Sequence, residues 1–361
     1  MEPSPNLKVL FLYTELAQYF ISCVDHFLQK NNANALIVRW PLNKEAPFEF
    51  EFSERISVRS RDELSDEALQ DLVQEFAPDI VVASGWVDRG YIKVCKAFKK
   101  KGIPTVMCSD TRWTGSWKQR VAALISPVLA RSAYSDVWVT GKAQGLYAEK
   151  LGYSNENIHY GFYSADVNKF KANADALKSV KSVHYPKRFL FMGRYIESKG
   201  IVELVNAFIE MQSEKPNDWE LWCCGTGELD PLPIEHEKVK HFGFVQVKDV
   251  TSYTEQTGVF VLPSHFEPWG VVVHEMALSG MPMLLSSNIG AAEMFLEEGK
   301  NGYKFTAESR DALKHGLGRF MSMSDQELMA MGKESARIGL NHDPDKWSAV
   351  LESIVERKAL A

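Results

Sequence analysis

The sequence predicts an α/β protein made of two domains, each built on a parallel β-sheet. The chain has 361 residues, which is long for one hydrophobic core and typical of two domains. Short β-rich runs alternate with helical patterns from one end to the other, the order expected of parallel strands joined by helices. Several of the runs are almost continuously apolar, as expected for strands that are buried on both faces.

Ten segments are predicted strands, five in each half of the chain. In the first half they are KVLFLY (8–13), ANALIVRW (33–40), DIVVAS (79–84), PTVMCS (104–109) and DVWVTG (136–141). In the second half they are RFLFMG (188–193), ELWCCG (220–225), VKHFGF (239–244), GVFVLP (258–263) and PMLLSS (282–287). Near the end of the chain, a capping-box pattern at 324–327 opens one helix, and a last helix is predicted from about 347 to 358.

The boundary between the domains is predicted near residues 165–187, a polar, lysine-rich stretch without the pattern of a buried strand. We therefore expect a first domain over residues 1–165, a linker over 166–187 and a second domain over 188–340. The remaining residues, 341–361, are expected to form a C-terminal helix that packs on the first domain.

Charge and composition narrow the classes of function. The formal net charge of −6 argues against a nucleic-acid-binding protein, whose affinity would come from basic groups facing phosphates. We expect no signal peptide, and the longest apolar stretch, 121–130, is too short to span a bilayer. The five cysteines show no metal-ligand spacing and fit a reducing compartment. These features predict a cytoplasmic protein, either free or peripheral on the cytoplasmic face of a membrane.

Ligands of parallel α/β sheets bind beyond the carboxyl ends of the strands, so the turns that follow the strands are the candidate sites. The first is FMGRYIESKG (191–200), where Gly193 lets a ligand approach the backbone and a helix N-terminus attracts anions. Arg194 and Lys199 would bind a diphosphate there, Arg through its planar fork and Lys as a point charge. The alternative is a solvated loop with unrelated charges.

The second candidate turn is LPSHFEPWGVVVHEMALSG (262–280), in which a loop leads into a helix that begins near Val271. Glu267 lies in the loop and Glu275 about one turn into the helix, so both can point into one pocket. A carboxylate at the second position can accept two hydrogen bonds from a ribose diol. The alternative is a pair of surface carboxylates, which the apolar residues around Glu275 disfavour.

The third turn, CCGTGELD (223–230), carries Gly225 and Gly227. We interpret it as permissive backbone beside the ligand, with a purely structural turn as the alternative. Neither half of the chain has a complete G-x-G-x-x-G fingerprint with its downstream acidic residue, which disfavours a dinucleotide oxidoreductase.

The first two turns resemble the donor-site motifs of glycosyltransferase family 4, the second in the longer form LPSHFEPWGVVVHEMALSGMPMLLSSNIGAAEMFLEEGKNGYKF (262–305). DQELMAMGKESAR (325–337) resembles the segment that follows in the family. The resemblance covers nearly all of residues 188–357 and concerns only topology across 1–165. It implies the GT-B fold, two Rossmann-like domains facing across a cleft, and a retaining, metal-independent transfer of sugar from a nucleotide-diphosphate donor.

The resemblance also implies roles for individual residues. Arg194 and Lys199 would hold the donor diphosphate, Glu267 would contact the transferred sugar, and Glu275 would bind the ribose. Backbone amides near Gly270 would meet the sugar and phosphates, and the turn after HFGF (241–244) would lie against the base. The implied donor-binding set is Gly193, Arg194, Lys199, Phe244, Trp269, Gly270, Val271, Val272 and Glu275.

The acceptor side departs from the family. The first strand is followed by YTELA (13–17), where the family commonly has two glycines. Asp110 stands where the family often has a histidine, which makes it the second catalytic candidate after Glu267. Asp110 could assist the acceptor or bind a sugar hydroxyl; alternatively it caps the next helix.

No metal or other cofactor is expected. The D-x-D sequence Asp343–Asp345 formally matches the metal-holding motif of another glycosyltransferase fold, but its place before the last helix favours a turn and an N-cap. The histidines show no ligand spacing, and His265, beside the proposed site, is by default a loop residue without a role.

WTGSWKQRVAALISPVLAR (113–131) is a candidate membrane contact, because aromatic and basic residues precede an apolar stretch. The alternative is a helix packed into its own domain. We therefore expect a UDP- or GDP-linked donor and a glycan or lipid-linked acceptor, in polysaccharide or glycoconjugate synthesis. A nucleotide-sugar epimerase or hydrolase on the same fold, and a non-catalytic nucleotide-sugar-binding module, are the other functions that the motifs allow.

Overall fold

The computed structural model describes residues 7–41, 50–171, 181, 184–232 and 234–359. The chain divides into two compact units: Met1–Ser164 with His342–Ala361, and Ala165–Asn341. The described part of the predicted linker therefore belongs to the second unit, and its remaining residues, 172–180 and 182–183, lie outside the described residues.

The first unit is built on a sheet of seven parallel strands. They are β1 (Lys8–Tyr13), β2 (Asn34–Arg39), β3 (Ile56–Ser60), β4 (Ile80–Ala83), β5 (Thr105–Ser109), β6 (Asp136–Val139) and β7 (Ile158–Tyr160). Their order in the sheet is β3-β2-β1-β4-β5-β6-β7. The helices between them are α1 (Gln18–Lys30), α2 (Asp66–Phe76), α3 (Arg89–Lys100), α4 (Trp117–Ile125) and α5 (Lys142–Lys150), with short 3-10 turns at Arg61–Glu63 and Asn155–Asn157.

The second unit has six parallel strands. They are β8 (Arg188–Met192), β9 (Glu220–Cys224), β10 (Val239–His241), β11 (Val259–Leu262), β12 (Met283–Ser286) and β13 (Gly302–Phe305), in the order β10-β9-β8-β11-β12-β13. The helices are α6 (Ile201–Glu214), α7 (Val250–Gln256), α8 (Val271–Leu278), α9 (Ala292–Phe295), α10 (Arg310–Met321) and α11 (Asp325–Gly339), with 3-10 turns at Glu197–Lys199 and Val247–Asp249.

The C-terminal helix, Pro344–Ala359, packs on the first unit as predicted. Trp347 is 1% exposed, and its ring centroid lies 4.8 Å from that of Trp138 on β6 and 6.2 Å from that of Phe20 on α1. At the start of the helix, Asp343 accepts a hydrogen bond from the Lys346 N–H at 2.8 Å, which is an N-cap. The D-x-D sequence is thus a helix start in this chain, as its position indicates.

All ten predicted strands are present, but the sequence analysis missed β3, β7 and β13. Each of the three is an edge strand of its sheet. An edge strand is covered on fewer sides, so it does not need the continuous apolar run that identifies a central strand. In β3 only the first of five residues is buried, and β7 has only three residues.

Candidate functional site

The candidate site lies at the carboxyl ends of β8 and β11, which are neighbours in the middle of the second sheet. The strand order reverses between these two strands, so the connections that follow them lead to opposite sides. A crevice opens between the connections, and α/β proteins bind ligands in such a crevice. Every donor-side residue predicted from the sequence belongs to this unit, whereas Asp110 belongs to the first unit.

The turn after β8 packs directly on the loop after β11. Gly200 caps α6 with φ of 66°, and a Cβ there would lie 2.5 Å from the carbonyl oxygen of Pro263. Only glycine combines this backbone angle with so close an approach. The N–H of His265 donates to the carbonyl of Ser198 at 2.9 Å, so a hydrogen bond also joins the two turns.

The backbone of Glu267 is held by the turn that follows β12. Its N–H donates to the carbonyl of Asn288 and its carbonyl accepts from the N–H of Gly290, both at 3.1 Å. A Cβ at Gly290 would lie 2.1 Å from the carbonyl oxygen of Pro268, so the turn can approach only because it has no side chain there. The backbone of Glu267 is therefore fixed by close packing and hydrogen bonds to the turn that follows β12.

Lys199 and Glu267 form a hydrogen-bonded ion pair between Nζ and Oε2. The two side chains are 15% and 12% exposed, so the pair is largely withdrawn from solvent. Arg194 is exposed, and its guanidinium has no hydrogen bond or ion pair with any residue that the structure describes. The two cations of the first turn therefore have different surroundings. Lys199 is paired with the Glu267 carboxylate of the second turn, whereas Arg194 has no partner among the described residues and is available to an anion.

Helix α8 begins at a glycine and presents its N-terminus beside this pair. Gly270 has φ of 89° and no side chain, so the N-cap residue itself does not cap the first N–H groups of the helix, those of Val271 and Val272 among them. A helix N-terminus of this kind attracts anions. The side chain of Trp269 is 2% exposed and packs inside the loop, so only its backbone is placed to meet a ligand.

Glu275 is half-buried on α8, and burial raises the pKa of its carboxyl group to about 7. The nearby Lys169 opposes this shift and Asp166 adds to it. Burial lowers the pKa of Lys169 in turn. Lys169 and Asp166 lie in the segment predicted to be a linker, and only tertiary structure brings position 169 to position 275.

The glycines of the third turn face backbone rather than open space. A Cβ at Gly225 would lie 1.8 Å from the carbonyl oxygen of Gly193, and a Cβ at Gly227 would lie 2.5 Å from that of Tyr195. The glycines therefore have a structural role, because they allow the ends of β8 and β9 to pack together. The place of this turn beside a ligand stays a prediction.

The turn predicted to lie against a base follows HFGF (241–244), and in the structure β10 already ends at His241, within that segment. His241, the last residue of β10, is exposed, and its Nδ1 lies 2.9 Å from the hydroxyl of the buried Tyr195. Burial lowers the pKa of His241 and raises that of Tyr195, which favours a hydrogen bond between a neutral imidazole and a neutral phenol. Sequence reasoning missed this pair, whose members are far apart in the chain.

Asp110 follows β5 in the first unit. Its carboxylate accepts a hydrogen bond from the Tyr163 hydroxyl at 3.4 Å. The next helix, α4, is capped by Ser116, whose Oγ accepts from the N–H of Gln119 at 3.4 Å. Asp110 is therefore not a helix cap, and its role toward an acceptor stays a prediction.

His265 lies in the loop after β11 and faces an acidic residue of α6. Nε2 of His265 lies 3.4 Å from Oε1 of Glu203 on α6, which makes it an ion-pair partner at the edge of the loop when it is protonated. Among the described residues, no group of three or more His, Cys, Asp or Glu side chains is placed to hold a metal ion.

Part of the chain matches a known protein family. Residues 186–323 match the family described as "Glycosyl transferases group 1". This range begins just before β8 and includes both turns of the candidate site and all of α8.

Individual relatives agree with that class. The chain is 31% identical over 225 residues to 2-deoxystreptamine N-acetyl-D-glucosaminyltransferase of Niallia circulans, which is 55% of this chain and 55% of the relative. It is 21% identical over 291 residues to glycogen synthase of Mycobacterium tuberculosis, which is 77% of this chain and 67% of that protein. The chain therefore spans about half the length of the first relative and two thirds of the second.

Solved structures show the same fold. Anabaena HepE in complex with UDP and glucose has a TM-score of 0.72 at 17% identity, over 97% of this chain and 100% of that one. WaaG, a glycosyltransferase involved in lipopolysaccharide biosynthesis, has a TM-score of 0.66 at 12% identity, over 95% and 99% of the two chains. The predicted fold, with two parallel-sheet Rossmann-like domains of the GT-B type, is confirmed. The family match and the relatives together support a glycosyltransferase enzyme.

Proposed function

We propose that this chain is a glycosyltransferase that moves a sugar from a UDP- or GDP-linked donor to a glycan or lipid-linked acceptor, with retention of configuration. The observation that carries the proposal is the pairing of Lys199 with Glu267 where the strand order of the second sheet reverses, in the same turn as Arg194, which has no partner among the described residues. A nucleotide-sugar donor is supported by the structural neighbours, which include complexes with UDP and with UDP-glucose.

The charges in the proposed site suit the reaction. The bond between the anomeric carbon and the diphosphate oxygen breaks with both electrons going to the diphosphate. An acceptor hydroxyl oxygen bonds to the carbon and passes its proton to the leaving diphosphate. Arg194, Lys199 and the N-terminus of α8 supply positive charge to the leaving diphosphate, a form of electrostatic stabilisation. Glu267 supplies negative charge near the sugar, where positive charge develops.

Binding and turnover of nucleotide sugars test this proposal. A nucleotide sugar that binds only the folded state should raise the melting temperature, so a panel of UDP-, GDP- and ADP-sugars identifies the donor. Transfer to an acceptor should then follow. A melting temperature that no nucleotide or nucleotide sugar raises would contradict the proposal, and a shift without any release of nucleotide would identify a binding module instead.

Transfer is expected to survive thorough removal of divalent metal ions. Cations and helix amides take the place of a metal at the leaving group in this site, so activity in excess chelator should stay within about twofold of its value with Mg²⁺ or Mn²⁺. The check is the initial rate after dialysis against chelator, with a known metal-dependent glycosyltransferase as the control. A rate that collapses and returns only with a divalent ion would contradict metal independence.

The proposed membrane contact is supported by the exposure of α4. None of its nine residues is buried, and Trp117 and Leu124 are 71% and 82% exposed. A helix packed into its own domain would bury its apolar side chains, so the exposure of α4 supports a membrane contact over that alternative. The exposed apolar side chains lie in the same helix as Lys118 and Arg120, a combination that suits an anionic membrane surface. No helix among the described residues has the length and hydropathy to cross a bilayer.

A variant with Trp117→Ser, Lys118→Ser and Arg120→Ser is expected to lose most of its binding to vesicles that contain anionic lipid, because it removes apolar contact and two cations together. Vesicle sedimentation measures the effect. The matched control is Val87→Ser, Arg89→Ser and Lys100→Ser, which removes one exposed hydrophobic residue and two exposed cations elsewhere in the same unit. Equal vesicle binding by the native chain and the α4 variant would contradict the proposal.

A further inference from the structure

His274 uses both nitrogens of a buried ring. It lies on α8 directly before Glu275 and is 1% exposed. Its Nδ1 accepts a hydrogen bond from the main-chain N–H of Ala165 at 3.0 Å, and its Nε2 lies 2.9 Å from the carbonyl oxygen of Gly339. Because Nδ1 accepts, the proton is on Nε2 and is donated to Gly339, so the ring is neutral and both nitrogens are satisfied. The ring also stacks on Phe295, with centroids 4.0 Å apart.

The two partners of His274 mark the two ends of the second unit. Ala165 is its first residue, and Gly339 is two residues before its last residue, Asn341. The chain enters the second unit through the first segment and leaves it through the other. One side chain therefore ties both segments to the helix that carries Glu275.

Other contacts place the same two segments against α8. Asp166, next to Ala165, accepts a hydrogen bond from the N–H of Lys169 at 3.1 Å, and the charges of these two residues act on Glu275. On the other side, a Cβ at Gly339 would lie 2.8 Å from the backbone nitrogen of Leu278 at the end of α8. Both segments thus pack against α8, and His274 on this helix makes one hydrogen bond to each segment.

We propose that His274 is a positioning residue of the donor site: it fixes α8, with the Glu275 carboxylate and the amides at the helix N-terminus, against both ends of the second unit. The proposal rests on the proposed function, because it assigns α8 to donor binding. His274 does not contact the donor. It acts through the helix on which Glu275 lies.

The consequence of losing the ring follows from its hydrogen bonds. Leucine at this position would leave the buried N–H of Ala165 and the buried carbonyl of Gly339 without partners, which favours separation of the segments from α8. Asparagine has one acceptor and one donor on a shorter side chain, so it can replace one of the two hydrogen bonds more readily than both.

The experiment compares His274→Leu and His274→Asn with the native full-length chain. Gln212→Leu is the matched control, because Gln212 is 5% exposed, donates to the carbonyl of Trp219 at 3.0 Å and accepts from the N–H of Asn217 at 3.1 Å in the same unit. Amide hydrogen exchange is measured without ligand, and UDP and GDP affinities are measured by calorimetry well below the melting temperatures.

We expect His274→Leu to exchange at least about tenfold faster at Ala165 and in the last turn of α8, and to bind the preferred nucleotide at least about tenfold more weakly, which is about 1.4 kcal/mol. His274→Asn should lie between His274→Leu and the native chain in both measurements, and it decides the question if His274→Leu does not fold. Gln212→Leu should lower the melting temperature without changing nucleotide affinity.

Native nucleotide affinity in His274→Leu, or a loss no larger than that of Gln212→Leu, would overturn the positioning role. Unchanged exchange at Ala165 would overturn the link itself. A native chain that binds neither UDP nor GDP would instead overturn the proposed function, and the exchange measurement would still decide whether His274 ties the segments to α8.

Discussion

Replacing Glu267 by glutamine is expected to lower the turnover of sugar transfer by at least about a hundredfold, or about 2.7 kcal/mol in the activation barrier. The amide keeps the shape of the side chain and removes its charge, so it no longer favours the positive charge that develops at the anomeric carbon. This interaction is stronger in the transition state than in the ground state, and its loss should therefore appear in kcat.

Nucleotide affinity separates this effect from a loss of binding. Glu267 neutralises Lys199 in the ligand-free protein. Glu267→Gln removes a negative charge from the neighbourhood of the diphosphate, so UDP or GDP should bind as tightly as before or more tightly. Glu275→Gln is the matched control: it changes a carboxylate of the same site to an amide, and we expect mainly weaker nucleotide binding, because a ribose contact is the same throughout the reaction. Near-native kcat for Glu267→Gln at saturating donor would refute the catalytic assignment.

The second large effect is expected at Arg194. Its guanidinium is exposed and unpaired among the described residues, so its charge is available to the diphosphate without first breaking another contact. Arg194→Ala should weaken nucleoside-diphosphate binding by about 1.5–3 kcal/mol, the scale of a hydrogen bond to a charged group. Calorimetric titration with UDP and GDP measures the change, and the native affinity should fall as the salt concentration rises.

A matched control for this variant is Lys333→Ala, which removes another exposed cation of the second unit, on α11. It should leave nucleotide affinity unchanged. Lys199 is a less direct probe, because its removal leaves the largely buried Glu267 carboxylate without a counter-ion. An Arg194→Ala protein that binds nucleotide as tightly as the native chain would remove Arg194 from the site.

The two turns of the candidate site balance each other's charge. Lys199 and Glu267 are 68 residues apart in the chain, yet each neutralises the other in a position withdrawn from solvent. A diphosphate that binds to Lys199 would take over part of this neutralisation. The glycines at positions 200 and 290 allow the backbone contacts that bring the pair together.

Local sequence determined the central part of the fold. Strands buried on both faces require continuous apolar runs, and such runs identified most of the ten predicted strands, whereas β10 is an edge strand with one buried residue. The turns that follow β8 and β11 carry charged residues and glycines at fixed spacing, so the candidate residues Arg194, Lys199, Glu267 and Glu275 could also be selected from the sequence alone. Such patterns are visible because each depends on residues that are close together in the chain.

Contacts between distant segments were decided only by tertiary structure. The edge strands β3, β7 and β13 have no continuous apolar signal, and the backbone that the glycines of the third turn face lies about thirty residues earlier in the chain. The effect of the Lys169 charge on Glu275 and the hydrogen bonds of His274 to Ala165 and Gly339 likewise have no local signature. For α4, the sequence left a packed and an exposed helix open, and the structure shows the exposure. Sequence periodicity records which face of an element is buried, whereas the identity of the group that covers it is fixed only when the elements pack.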